Sequence, residues 1–232
     1  ISTGRTSICE PHESHGLTLG GFGTWTTISH VEVVGTQDAG IEFFGGTVNA
    51  SNLIVWGQGD DGLDIDQSYG GTISNSIVIA NSTSDHGLEI DRPEGSMEDS
   101  LKLENMTLIG DGTAGNGEYA DFRKWALGSG NNLFAYGFQV GKDFELDAEA
   151  DSASFEAGTL TFSNIEIVIP DGSSLTGGDL FNDKSETPNA MFEDAKNLAG
   201  ETFAKGVTSG SNTVGADTSV FGWTFANYKG KL

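Results

Sequence analysis

A turn residue followed by apolar, polar and apolar positions recurs along the chain. It appears as Gly16-Leu-Thr-Leu, Gly40-Ile-Glu-Phe, Gly62-Leu-Asp-Ile, Gly87-Leu-Glu-Ile and Asp143-Phe-Glu-Leu. Alternation with a period of two marks short strands that bury one face. The leading apolar residues Leu17, Ile41, Leu63 and Leu88 follow at steps of 24, 22 and 25 residues, and Phe144 comes 56 residues after Leu88. Phe122 divides that last interval into 34 and 22, with an insertion near Gly110–Tyr119 absorbing the excess. A second apolar set precedes each short strand: Ile28/Val31/Val33, Val48/Leu53/Val55, Ile73/Ile77/Ile79 and Leu103/Met106/Leu108. Each repeat therefore carries at least two strands.

A period of 22–25 residues is the length of one β-solenoid coil. Leucine-rich repeats share the length but need alternating helices, and no helical period stands between these repeats. An antiparallel sandwich would not return the same motif at the same offset. The expected fold is all-β, a right-handed parallel β-helix of at least six coils over residues 1–188. Asn49, Asn52, Asn75, Asn105 and Asn164 fall at or beside strand starts. Asparagine tolerates left-handed backbone and stacks in ladders, so these are read as structural. Leu160–Ile169 reads as one more coil, ended by a turn at Pro170-Asp-Gly. Met191, Phe192, Ala195, Leu198 and Ala199 have helical spacing, which predicts a helix within 189–203. The closing Val220-Phe-Gly-Trp-Thr-Phe-Ala is expected to cover the open end, so that 189–232 forms a helix and cap on the same domain. Trp25 and Trp223 are read as packing residues of the first coil and the cap.

Charge narrows the function. With 34 acidic and 11 basic residues the net charge is −23, which disfavours nucleic acid and anionic membrane as partners. No apolar run is long enough for a transmembrane helix. Cys9 is the single cysteine, so neither a disulfide framework nor a thiolate metal cage is expected. A cation such as Ca²⁺, a neutral sugar, or solubility alone remain. The opening Ile1 reads as a processed end or a point within a longer solenoid.

The runs Gly16-Leu-Thr-Leu-Gly-Gly, Gly40-Ile-Glu-Phe-Phe-Gly-Gly-Thr-Val-Asn and Gly59-Asp-Asp-Gly-Leu-Asp-Ile-Asp, with the ending Phe221-Gly-Trp-Thr-Phe-Ala, carry a resemblance. It is to secreted or lipid-anchored β-helix proteins of marine and gut Gram-negative bacteria, largely of unassigned function, within the pectin-lyase-like superfold. The resemblance implies fold and an extracellular or outer-membrane location, and it implies no reaction.

If the leading apolar residues point inward, two outward rows follow: Thr18, Glu42, Asp64, Glu89, Arg123, Glu145, and Gly20, Phe44, Asp66, Asp91, Trp125, Asp147. Coils stack about 4.8 Å apart, so carboxylates in a row repel unless a cation, a proton or solvent relieves them. Ca²⁺ takes six to eight oxygen ligands, and Asp60, Asp61, Asp64, Asp66, Glu89 and Asp91 are the candidate set. Arg123 is expected between Glu89 and Glu145, with Arg92 the other nearby cation. Strict alternation would push Lys124 inward, so a bulge is expected near Trp125. Phe44, Trp56, Tyr69 and Trp125 offer a stacking platform for the sugars of a polysaccharide or cell-surface partner.

An enzyme is the competing expectation. Asp38, Asp60-Asp61, Asp85-His86-Gly87 and Arg123-Lys124 occur in an order similar to that of polygalacturonase-type hydrolases, where two carboxylates share inverting catalysis. The match departs at Gln37-Asp38, at Asp85 in place of a glycine, and at the adjacency of Arg123 and Lys124, which predicts opposite faces. Ca²⁺-dependent lysis with Arg123 or Lys142 as base is the related alternative. The leading expectation is a non-catalytic surface protein that binds Ca²⁺, carbohydrate or both.

Overall fold

The computed structural model describes residues 14–92, 98–112, 117–170, 177–193 and 203–232. Seven short strands form one sheet: β1 (Leu17–Gly20), β3 (Ile41–Phe44), β5 (Leu63–Asp66), β7 (His86–Asp91), β9 (Glu118–Arg123), β11 (Phe144–Leu146) and β13 (Phe181–Asp183). Seven mostly longer strands form the other: β2 (Thr27–Val34), β4 (Asn49–Trp56), β6 (Thr72–Ile79), β8 (Leu101–Ile109), β10 (Gly128–Tyr136), β12 (Leu160–Val168) and β14 (Ala204–Val207). All pairings are parallel, and each coil gives one strand to each sheet. The chain is a parallel β-helix. Among the described residues no helix is long and apolar enough to cross a membrane.

The glycine repeated at the head of the first four short strands has a packing cause. A Cβ on Gly40 would lie 2.2 Å from Val55 Cγ1 and 2.7 Å from the Gly62 carbonyl, and one on Gly62 would lie 2.3 Å from Val78 Cγ1. Those valines point into the core (Val33, Val55 and Val78 are buried). Only glycine lets the coil close over them. The inward rows then stack like on like, as in Leu17–Ile41–Leu63–Leu88 and Leu19–Phe43–Ile65–Ile90. Each fully buried aliphatic side chain contributes roughly 2 kcal/mol.

The long strands bend at one position per coil. His30, Asn52, Asn75, Asn105, Asn132 and Asn164 there have φ between 46° and 56°, the left-handed region that asparagine enters at low cost. Their amides bond coil to coil, Asn75 Nδ2 to Asn52 Oδ1 at 2.6 Å, Asn132 to Asn105 at 3.1 Å and Asn164 to Asn132 at 3.2 Å. The structural reading of Asn52, Asn75, Asn105 and Asn164 holds. Asn49 instead accepts from the Thr72 N–H at 3.0 Å.

Two registers differ from expectation. In the fifth coil Ala120, not Phe122, stands beside Leu88, and Asp121 stands beside Glu89, a shift of two residues. The small Ala120 fills the inward position beside Phe144 of the next coil, whose ring stacks with Tyr119, itself stacked on Phe138. In β6 the inward residues include Ser76 and Val78, while Ile77 and Ile79 face outward.

That outward stripe explains the chain's end. Ile54, Ile77 and Ile79 are buried in a second apolar cluster with Phe221 and Ala226. Residues 208–232 run back along the long sheet as a strap. Thr213 binds Glu166 on β12 through its N–H and hydroxyl (2.5 and 2.7 Å), the Ala216 N–H binds Thr107 on β8, and the Asp217 N–H binds Asn75 on β6. The strap finishes on β2, where Glu32 accepts 2.8 Å bonds from the N–H groups of Phe225 and Ala226. The expected end cap is thus a side strap, because the apolar surface needing cover lies on the sheet face. At the C-terminal coils, α1 (Glu149–Glu156) and α2 (Ala190–Glu193) flank the solenoid, and Phe155, Phe181, Phe192 and Phe203 make ring contacts with one another. α2 lies inside the expected 189–203 helix, of which residues 194–202 fall outside the described ones, as do 113–116 of the expected insertion and 171–172 of the expected turn. α1 carries no apolar stripe and was not expected.

Candidate functional site

The outer face of the short sheet carries the acidic rows. Register places Thr18, Glu42, Asp64, Glu89, Asp121 and Glu145 in one line, so Asp121 takes the position expected of Arg123. The second line runs Gly20, Phe44, Asp66 and then, by the same stacking, Asp91 and Arg123.

The candidate cation set divides into three parts. Glu42, Asp64 and Asp66 offer carboxylate oxygens that all lie within 4.8 Å of one another. Burial, then Asp66, Asp61 and Glu42, push the Asp64 carboxyl up to about 8. Burial, Asp91 and Glu42 raise Asp66 as well, with Lys124 and Arg123 opposing. Neither Asp64 nor Asp66 has an ion-pair partner among the described residues.

Glu89 and Asp91 form the second part, and they are neutralised. Arg123 pairs with Glu89 and approaches Asp91 at 3.5 Å, while Lys124 Nζ binds Asp91 Oδ2 at 2.6 Å. The expected bulge is a turn of two left-handed residues, Lys124 (φ 52°) and Trp125 (φ 66°). That turn swings Lys124 onto the face of Arg123, so the two cations converge rather than diverge. Arg92 pairs with Glu98 and lies 5.7 Å over the Trp125 ring. Glu145 is relieved by Lys184 from the seventh coil, not by Arg123.

The third part gathers at the start of the short strands. Asp61, 2% exposed, accepts from both the backbone N–H and Nδ1 of His86 at 2.9 Å. Burial alone would lower the His86 pKa, but the Asp61 bond and the charges of Asp61, Asp85 and Asp121 raise it well above the ordinary value. Asp60 lies beside Asp38, and burial together with the charges of Asp61, Asp38 and Asp85 raises it to about 6. Asp38 and Glu42 also approach His15 (3.8 and 3.6 Å). So Asp38, Asp60, Asp61 and His86 do meet. Arg123 does not join them: His86 pairs with Glu118 at the start of β9 and Arg123 ends that strand, roughly 16 Å further along it. Lys142 is bonded to Glu118 at 3.2 Å.

Residues 3–224 match the family model of the pectate-lyase-like β-helix domain. The chain belongs to that family. No curated protein and no solved structure matches it. Membership in the pectate-lyase-like β-helix domain family fixes the superfold; the chemistry rests on this domain's own residues.

Of the aromatic platform, Phe44 and Trp125 are 45% and 53% exposed. Tyr69 is not available. It is 1% exposed, its ring tilted against Phe43, with its hydroxyl donating to the Val48 carbonyl. Trp56 faces the other sheet's exterior, where Phe225 and Lys231 of the strap cover it. Trp25 is fully exposed and Trp223 is 47% exposed beside His30, so neither is buried packing. Sequence reasoning put Glu42 in the row but outside the cation set, and overlooked His15, Asp121 and Lys184. Glu42 was legible from its offset beside Asp64; the others come from neighbouring coils with no local signal.

Proposed function

We propose that this domain is a non-catalytic extracellular or cell-surface module that binds Ca²⁺ on its acidic face and engages carbohydrate there. The observation that carries the reading is the Glu42–Asp64–Asp66 cluster, three mutually close carboxylates of which two have no cationic partner among the described residues. Ca²⁺ is a hard cation that prefers such oxygen ligands, and water or glycan hydroxyls would complete its six to eight positions. Asp61, next in the electrostatic neighbourhood of Asp64, is engaged by His86. Asp60 lies with Asp38, and Glu89 and Asp91 with Arg123 and Lys124, so these four flank the cation rather than hold it. Phe44 and Arg123 stand three rungs apart in one row, about 14 Å, with Asp66 and Asp91 between them and Trp125 just beyond. That arrangement suits a sugar chain lying across the coils, with a cell-surface polysaccharide as the partner.

Calorimetric titration with CaCl₂ tests the reading. Binding heat in the unaltered domain, lost in Asp64→Asn/Asp66→Asn and kept in Glu89→Gln, is the expected result. Absence of Ca²⁺ heat into the millimolar range would overturn it.

One observation favours a second reading. Asp38 and Asp60 lie close together beside the Asp61–His86 bond, and burial with the neighbouring carboxylates raises Asp60 to about 6. Such a pair can donate and accept protons near neutral pH. Release of reducing ends from polygalacturonate, abolished in Asp60→Asn, would establish hydrolysis; silence across acidic and neutral polysaccharides would exclude it for those substrates.

A further inference from the structure

The long sheet carries a second, chemically different surface on its N-terminal half. Before the asparagine bend the strands are not covered by the strap, whose bonds fall at or beyond that bend. There, outward positions stack as Thr27 beside Asn49 and Ser29 beside Ser51 beside Ser74. Thr27, Asn49, Ser51 and Ser74 of these line an open groove of about 450 Å³ formed with Thr24, Thr26 and Thr72. Among the described residues its lining contains no charged side chain, in a chain of net charge −23, and the next rung sets the opposite charges of Lys102 and Glu104 beside Thr72 and Ser74. No hydrogen-bond partner for the side-chain hydroxyls of Thr26, Thr27, Ser51, Thr72 or Ser74 exists among the described residues, whereas Thr24 and Thr47 bond each other at 2.9 Å.

Trp25 stands between two residues of this lining, Thr24 and Thr26, with its indole fully exposed. An exposed indole offers a flat apolar face and an N–H donor, on which a ring can stack. Free hydroxyls and an amide beside an open aromatic face are the chemistry that recognises a sugar, whose rings present C–H faces and equatorial hydroxyls. An anionic chain would meet the long-range field of the whole protein, so the neutral lining selects uncharged glycans.

We propose that this groove is a binding site for a neutral polysaccharide, with Trp25 as its stacking platform and Thr27, Asn49, Ser51, Thr72 and Ser74 as its hydrogen-bonding wall. The site is independent of the acidic face and of Ca²⁺. It lies on the other sheet, and among the described residues no carboxylate lines it.

Affinity electrophoresis through gels containing laminarin, galactomannan, hydroxyethylcellulose or amylopectin tests the proposal, with EDTA present throughout. Retardation in at least one gel is expected, weakened at least tenfold in Trp25→Ala and in the groove-filling Ser74→Arg. Trp25→Ala removes a side chain that contacts solvent alone, so its melting temperature should equal that of the unaltered domain. No retardation in any of the four gels, or retardation that survives both groove variants, would overturn the site. Neither outcome bears on Ca²⁺ binding, which is read by calorimetry without glycan.

Discussion

Replacing Asp64 by asparagine should stabilise the protein, and by an amount that grows with pH. Asp64 has its carboxylate within 4.8 Å of those of Glu42 and Asp66. At an effective dielectric of about 20, one such pair repels by about 3.5 kcal/mol. Discounting for the site's partial exposure to solvent leaves about 2–3 kcal/mol for the cluster. The sign follows from linkage. The carboxyl is raised from 3.8 in the unfolded chain to about 8 in the fold, so its favourable protonated form contributes fully below pH 3.8 and is lost as pH rises through about 8. Asp64→Asn keeps a neutral group at all pH values. Its advantage over the unaltered chain should be near zero at pH 4 and reach about 2–3 kcal/mol at pH 9, a rise of roughly 5–10 °C in melting temperature. Thermal melts across that pH range, with EDTA, read this directly. Saturating Ca²⁺ should close the gap at pH 9 by stabilising the unaltered protein alone. An equal melting temperature at pH 9, or a gain of the same size at both ends of the range, would refute the electrostatic argument.

Three further outcomes follow from the packing. Gly62→Ala should cost about 3 kcal/mol in urea unfolding, since its Cβ would sit 2.3 Å from Val78 and 2.5 Å from the Gly87 carbonyl. Glu166→Gln should cost about 2 kcal/mol, because the buried carboxylate holds the strap's Thr213 and pairs with Lys205 at 2.7 Å. Burial opposes its ionisation, but Lys205 and Thr213 prevail and lower the pKa, so the stability it supplies is present above pH 4.5 and is lost as pH falls through the folded value. Hydrogen exchange in 213–232 should rise in the same variant. Asn132→Ala should be more destabilising than Asn132→Gly by about 1 kcal/mol, because its φ of 56° suits glycine while both changes remove the amide ladder; equal melts for the two would contradict that cause.

The short sheet was legible because one face is buried and the other wet, which leaves clean alternation at Leu63-Asp-Ile-Asp and Leu88-Glu-Ile-Asp. The fifth coil slipped by two residues because its inward residue is a small alanine, which periodicity gives little weight beside Phe122. On the long strands, the continuous apolar runs Leu53-Ile-Val-Trp and Ile77-Val-Ile bury both faces, and continuity was the available sign that something covers the outside. What covers it lies far away in sequence, as in the bond of Ala226 to Glu32 across 194 positions, and no local pattern records it. The same limit applies to the site. Glu42, Asp64, Asp66 and Glu89 followed from the repeat, whereas Lys124 reaches Asp91 only through two left-handed residues, and Lys184 reaches Glu145 from the next coil. Tyr69 was misplaced for a related reason. Its ring turns inward after the left-handed pair Gln67 and Ser68 (φ 53° and 51°), where strand alternation no longer applies.

The central claim is that the acidic face holds a divalent cation through Glu42, Asp64 and Asp66. Crystals grown with CaCl₂ near pH 8, measured for anomalous scattering at long wavelength, test it most directly. The account predicts a peak between β3 and β5 with carboxylate oxygens of all three residues at about 2.3–2.6 Å. Flat anomalous density there, with the three side chains splayed into water, would contradict it.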